Sequence, residues 1–269
     1  MKKIINSFKI AFMMYSKIPM PKTEWSGENM RYAMCFFPLV GTVIGIIQFA
    51  LFEMAIYLNF SEVHEIILLA AILVVLPISV TGGIHLDGLL DTADAINSHR
   101  DFDKRLEILK DPRAGAFAVI TCTVYILIYF ATYYFLSVTC LENTALANQM
   151  TILLCLNFTL ARAFSGLSVV TFKMAKNTGL AHTFSDNAQR KITKNVLVLY
   201  AIGIFTVMLV VNIIFAVAMI LSLLIAFFYY KRMSLKQFGG ITGDLCGYFL
   251  QIAEIAMPLS LVIVYIIMK

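Results

Sequence analysis

The sequence predicts an all-α integral membrane protein. It reads as a polytopic bundle of about seven transmembrane helices, with an N-terminal interfacial helix and an aspartate-rich helix on the cytoplasmic side. Three observations carry this. The 269 residues are 60% hydrophobic and 14% charged, against roughly 45–50% apolar and about 25% charged in soluble domains. Seven apolar runs come close to or exceed the ~20 residues that cross ~30 Å of hydrocarbon. Lys and Arg gather in alternate loops. No stretch is long enough for a separate soluble domain, so residues 1–269 are expected to form one membrane-embedded unit.

The first element is a basic amphipathic helix near Met1–Tyr15. Ile4, Ile5, Phe8, Ala11, Phe12 and Tyr15 share a face that Lys2, Lys3 and Lys9 mostly avoid, which suits the inner leaflet. Lys9 and Lys17 interrupt what would be a signal-peptide core, and Pro19 and Pro21 end the helix. The first span covers Tyr32 to Leu58 and contains Gly41-x-x-x-Gly45, a signal for close helix packing. The second covers Val63 to Val80, the third Gly115 to Leu136, the fourth Gln149 to Val170. Val196 to Tyr230 would be about 52 Å as one helix, too long for one crossing, so it divides at Asn212. The seventh span covers Tyr248 to Met268.

Charge orients these spans. The N-terminal segment, the loop after span two (Arg100, Lys104, Arg105, Lys110, Arg113), the loop after span four (Lys173, Lys176, Arg190, Lys191, Lys194) and the segment after span six (Lys231, Arg232, Lys236) are all basic. The Asn59–Glu65 turn and the Ser137–Asn148 loop hold no Lys or Arg. The N-terminus is therefore expected inside and the C-terminus outside. The net charge of +5 reflects cytoplasmic loops, and no nucleic-acid motif is present. The five cysteines form no CxxC pair and mostly lie in apolar runs, so neither a disulfide frame nor a zinc site is expected.

The chemistry centres on Thr81 to Asp94, TGGIHLDGLLDTAD. If the chain is helical from Ile84, Asp87, Asp91 and Asp94 stand at i, i+4 and i+7 on one face. Stacked carboxylates repel, and hard oxygen donors suit Mg²⁺. Gly82-Gly83-Ile84-x-x-Asp87 is echoed by Gly239-Gly240-Ile241-x-x-Asp244, two similar turns expected to bring carboxylates to one site. Asp87, Asp91, Asp94 and Asp244 are the metal candidates. His85 is a base, a phosphate contact or a structural residue. Lys110, Arg113, Lys173 and Lys176 are phosphate candidates, with Arg113 in the shaped turn Asp-Pro-Arg-x-Gly. Arg162, inside span four, either snorkels to the interface or clamps a phosphate. Glu254, inside span seven, faces a polar pocket or packs with a hydrogen bond. Acids and cations at one membrane face suit metal-assisted phosphoryl transfer, in which a metal ion neutralises a diphosphate.

GGIHLDGLLDTADA, LKDPRAGAF and GGITGDLCG, in this order, resemble the cobalamin synthase family of adenosylcobinamide-GDP ribazoletransferases, over nearly the whole chain. The resemblance implies a Mg²⁺-dependent reaction on the inner face of a bacterial cell membrane. α-Ribazole or its 5′-phosphate attacks the cobinamide-linked phosphate, GMP leaves, and adenosylcobalamin or its phosphate forms. The family's acidic motif maps onto Asp87, Asp91 and Asp94, and its second glycine motif onto Asp244. His85, Asp94 and Arg113 are the expected catalytic residues. The expected partners are the corrinoid nucleotide and ribazole substrates, membrane lipid and, as an open option, a second copy of the chain. The logic is also similar to that of CDP-alcohol phosphotransferases, but their Ala-Arg and later Gly-xxx-Asp spacing are missing, so their general base does not transfer. The loop Ala175–Phe184 is less charged than the family's Arg-rich segment. The rival readings are a CDP-alcohol-type enzyme with another acceptor and a secondary transporter. A transporter would place its charges at mid-membrane, whereas these acids cluster at one end.

Overall fold

The computed structural model describes residues 2–176 and 179–269. It is 83% helical. An amphipathic helix α1 (Lys2–Tyr15) and a short turn α2 (Gly27–Met30) lead into the first span, α3 (Ala33–Tyr57). Then follow α4 (Val63–Thr81), the aspartate-rich α5 (Ile84–Asn97), α6 (Phe102–Ile108), α7 (Ala116–Glu142) and α8 (Thr144–Thr171). The chain closes with α9 (Leu180–Asn187), α10 (Arg190–Val211), α11 (Ile213–Phe238) and α12 (Gly243–Met268). Seven of these, α3, α4, α7, α8, α10, α11 and α12, are long and apolar enough to cross a membrane, as the apolar runs predict.

Two corners are tighter than expected. The Ser137–Asn148 region is almost wholly helical, and only Asn143 separates α7 from α8. The Asn143 side chain accepts a hydrogen bond from Leu146 N at 3.1 Å, the N-cap chemistry for which Asn is suited. Asn212 does the same between α10 and α11, accepting from Ile214 N and Phe215 N at 3.1 Å. It also donates to Gln149 at 2.8 Å, which ties the two corners together. The last span begins at Gly243, earlier than the apolar run suggests, because Thr242 caps it by accepting from Leu245 N. Asp244 therefore sits in a helical first turn.

α8 is the hub of the bundle. α3, α7, α10 and α12 all pack on it, and most of its length is buried. Its closest neighbour is α3. A Cβ placed on Gly41 or Gly45 would run into the backbone of α8 at Phe158 and Cys155, so the glycine pair lets two backbones touch. A Thr42–Thr159 hydroxyl bond of 3.0 Å lies beside this contact. The outer faces of α7, α10 and α11 expose Leu127, Leu199, Val210, Ile225 and Phe228, as lipid-facing surfaces do.

α1 departs from the expected apolar face. It turns Ser7, Ile10, Ala11 and Phe12 toward the protein and leaves Ile4 and Ile5 half exposed. Hydrogen bonds set this rotation: Ser7 Oγ donates to Asn29 O at 2.6 Å, and Asn6 donates to Asn29 at 3.0 Å. Tyr15 then lies on Phe37 of α3, with ring centroids 4.3 Å apart.

The glycine pair after α4 makes the bend that positions α5. Gly82 and Gly83 both have positive φ (67° and 78°), which residues bearing a Cβ adopt reluctantly. α5 then lies against α12.

Replacing Gly41 with Leu is expected to lower stability by at least about 1–3 kcal/mol through overpacking. Thermal unfolding of the purified protein in detergent, compared with Leu51→Ala on the same helix, measures it.

Candidate active site

At the end of the bundle that carries α1, α5 and α9, a cavity of about 300 Å³ opens between α1, α3, α5, α8 and α12. Its lining combines polar groups, Asp87, Asp244, Lys110 and Lys176, with apolar and aromatic ones, Tyr15, Met34, Phe37 and Val169, and with His85.

The acidic wall is built by the two glycine turns. Each has a first glycine in the left-handed region, Gly82 and Gly239, but they differ after it. Gly83 is also left-handed and leads straight into α5, whereas Ile241 pairs with the segment after α8. There Ile241 N donates to Lys173 O, and Ala175 N to Ile241 O, each at 2.9 Å. The turns converge because α5 meets α12 with almost no side chain between them. A Cβ on Gly88 would stand 2.6 Å from Asp244 O, and one on Gly247 would stand 3.0 Å from His85 O. Asp87 and Asp244 are thereby brought to one cavity.

Asp87, Asp91 and Asp94 lie on α5 with the expected spacing. Burial, then the charges of Asp87, Asp244 and Asp94, push the Asp91 carboxyl up to about 7. Hard oxygen donors that gain from a nearby positive charge suit a divalent cation. Among the described residues, no three His, Cys, Asp or Glu side chains are drawn together closely enough to ligate one ion. Asp94 has another task. Its Oδ2 accepts from Gly115 N at 2.6 Å and its Oδ1 from Ala118 N at 2.9 Å. It caps the start of α7 from a neighbouring helix, since Gly115 has no side chain to do so. Asp94 is thereby taken up in capping, which Asp87, Asp91 and Asp244 are not.

In the same cavity, Lys176 donates to Leu106 O at 2.8 Å. Its ammonium is pushed down by burial and then by the charge of Lys110, while Asp244 pulls the other way. Two crowded ammonium groups beside crowded carboxylates form a surface that a phosphate group with a cation would neutralise. The other cations expected here stand elsewhere. Arg113 is exposed and makes a bidentate pair with Asp111 (2.9 and 2.7 Å) inside its own turn. Lys173 is exposed and contributes its carbonyl to Ile241 N.

Arg162 neither snorkels nor lines the cavity. It is fully buried and donates to Glu254 at 2.6 Å and to Phe158 O at 3.1 Å. Glu254 pairs with it instead of facing an open pocket. His85 is buried, stacks on Tyr15 (centroids 6.0 Å, interplanar 17°) and leans on Phe37 (5.8 Å). Burial and then the Arg162 charge push it down to about 3. Both effects favour the neutral ring.

Tyr15, Met34 and Phe37 have no sequence signal beyond apolar periodicity, since they face the cavity only once α1 docks on α3. His182, which also lines it, lies on α9, in the loop Ala175–Phe184. Asn177 and Thr178 of that loop fall outside the described residues.

A family model described as cobalamin-5-phosphate synthase matches residues 7–262. The chain is 45% identical to the adenosylcobinamide-GDP ribazoletransferase of Lachnoclostridium phytofermentans over 262 residues, covering 97% of this chain and 95% of that protein. It is 31% identical to the protein of that name from a Geobacillus species (94% of each). A Clostridium botulinum protein of the same name is 30% identical (95% and 96%). No solved structure matches the chain.

Two measurements check this account of the charges. Arg162→Met leaves Glu254 buried without its partner and is expected to destabilise the protein by about 3–5 kcal/mol, with Arg162→Met/Glu254→Leu recovering most of the loss; thermal unfolding of both variants reads it. The Asp91 carboxyl is raised to about 7 from roughly 3.9 when unfolded. Between those values the folded state holds the extra proton, so stability falls as pH rises toward 7 and the penalty is complete above it. Without divalent cations, Asp91→Asn is therefore expected to melt several degrees higher than the parent at pH 8, with the gap shrinking as pH falls and closing only below about pH 4.

Proposed function

The chain belongs to the cobalamin-5-phosphate synthase family, and from that premise we propose that it joins the two halves of the nucleotide loop of a cobamide. As a family member it is a transferase of phosphate-containing groups. The reaction transfers the cobinamide-linked phosphate of adenosylcobinamide-GDP to α-ribazole or its 5′-phosphate. The acceptor hydroxyl oxygen bonds to that phosphorus and its proton passes to solvent. The bond to the bridging diphosphate oxygen breaks, and GMP leaves with the electron pair.

One observation supports this reading above the rest: Asp87 and Asp244, from two distant glycine turns, line a single cavity with Lys110 and Lys176. Lys110 and Lys176 hold the diphosphate by charge and orient it. Asp87, Asp91 and Asp244 are the residues that would hold Mg²⁺, which would supply charge neutralisation to the diphosphate and its leaving group. Asp94 keeps the first turn of α7 beside this group, so it acts as a positioning residue. The apolar walls limit water at the reacting phosphate.

The proposal sets the site and the N-terminus on the cytoplasmic side of a bacterial inner membrane and the C-terminus outside. Lys and Arg gather at the aspartate end, whereas the turn 58–62 and the corners at Asn143 and Asn212 hold none. The acids also lie at one end of the bundle, which disfavours a transporter.

Membrane fractions supplied with adenosylcobinamide-GDP, α-ribazole and Mg²⁺ are expected to release GMP and form the cobalamin product, and to stop when a chelator is added. Asp87→Asn and Asp244→Asn are each expected to lower that rate by about 100-fold or more while leaving the protein folded. Undiminished activity and Mg²⁺ dependence in both would remove the metal assignment.

A further inference from the structure

The cavity is more specific than a phosphate-transfer centre needs. At about 300 Å³ it stands at the lower end of the roughly 300–1,000 Å³ of ligand sites, a volume better suited to a nucleoside than to a corrin macrocycle. Its depth is not polar. Tyr15, Phe37 and His85 form a continuous aromatic surface, with centroids 4.3 Å apart for Tyr15–Phe37 and 6.0 and 5.8 Å for their contacts with His85. Met34 and Val169 complete it. Among the described cavity-lining residues, His85 alone has a buried side-chain polar atom without a hydrogen-bond partner, its Nε2. The thiol of Cys246, also at the cavity, already meets the Tyr230 hydroxyl at 3.4 Å.

Resting on the transfer reaction proposed above, we infer that this aromatic half is the subsite for the planar base of the nucleoside acceptor, with His85 Nε2 facing its ring nitrogen. The sugar hydroxyl then lies toward the end where Lys110, Lys176, Asp87 and Asp244 gather. Two planar bases take part in the reaction, and edge chemistry decides between them. The benzimidazole of ribazole, once linked to its sugar, has apolar edges and a single acceptor nitrogen, which matches one unpartnered donor. Guanine of the departing GMP has several donors and acceptors on its edges. In this wall most of them would lose water without gaining a partner, which is costly. The guanosine end of the donor therefore stays outside the aromatic half. Acceptor recognition is thus separate from diphosphate recognition, although both open on one cavity.

The test uses the full-length protein in lipid nanodiscs. KM is measured separately for α-ribazole and for adenosylcobinamide-GDP, in the parent and in Phe37→Leu, which keeps an apolar side chain but loses the stacking face. Loss of a base–aromatic contact, about 1–3 kcal/mol, is expected to raise the α-ribazole KM about tenfold and leave the donor KM within about twofold. An unchanged acceptor KM, or a rise in the donor KM instead, overturns the assignment. Calorimetric titration of the parent protein, needing neither turnover nor a variant, is the second measurement. α-Ribazole is expected to bind with the same affinity whether or not GMP is present, and displacement by GMP overturns the inference. A parent protein that binds α-ribazole and forms no product from the two substrates refutes the transfer reading while leaving the binding result to stand on its own.

Discussion

The site depends on one close approach, that of α5 to α12 where Gly88 and Gly247 face each other's backbones. Two helices can come this near only where both lack a Cβ at the crossing. The consequence is chemical. Asp87 immediately precedes Gly88, and Asp244 is itself the residue that Gly88 touches, so the same contact that packs the helices brings their carboxylates together. The left-handed pair Gly82-Gly83 makes the approach possible by ending α4 and restarting the chain as α5 without an intervening loop. Packing thus brings like charges near one another, and burial together with the charges of Asp87, Asp244 and Asp94 raises the Asp91 carboxyl.

A second layer of polar groups lies deeper, in the span region. Arg162 and Glu254 neutralise each other at the heart of α8 and α12. Farther along, Tyr133 donates to Gln48 at 2.9 Å, with Tyr129 meeting it edge-on and Tyr125 tilted against Tyr129. Ions in this setting are tolerable only as a pair. The pair also reaches the site, because the Arg162 charge helps hold His85 neutral and its guanidinium lies 6.0 Å from the Phe37 ring. Buried structure and site electrostatics are coupled here through one arginine.

The parts legible in the sequence were those written in local patterns. The seven spans, the division at Asn212, the helix carrying Asp87, Asp91 and Asp94, and the packing role of Gly41 and Gly45 all follow from apolar run length, helical periodicity and glycine placement. What misled was side-chain identity without a partner. Arg113 has the chemistry of a phosphate ligand, but Asp111, two residues earlier, occupies it. Arg162 has the same chemistry, but Glu254 meets it from another helix. Asp94 shares the periodicity of its neighbours, yet a glycine at the start of α7 draws it into capping. The aromatic wall was invisible because Tyr15 and Phe37 read as ordinary apolar positions.

By itself, the sequence determined the bundle, the order of its spans and the end at which acids and cations accumulate. These rest on short-range physics: the length of apolar segments, the spacing of residues on a helix and the conformations open to glycine. Only the tertiary structure decided which acids share a cavity, which arginines are already paired, and that aromatic groups line the same cavity as the charged ones. Those outcomes depend on which helix faces approach, and that is set by close packing between segments far apart in the chain, where a single Cβ decides whether two backbones can meet.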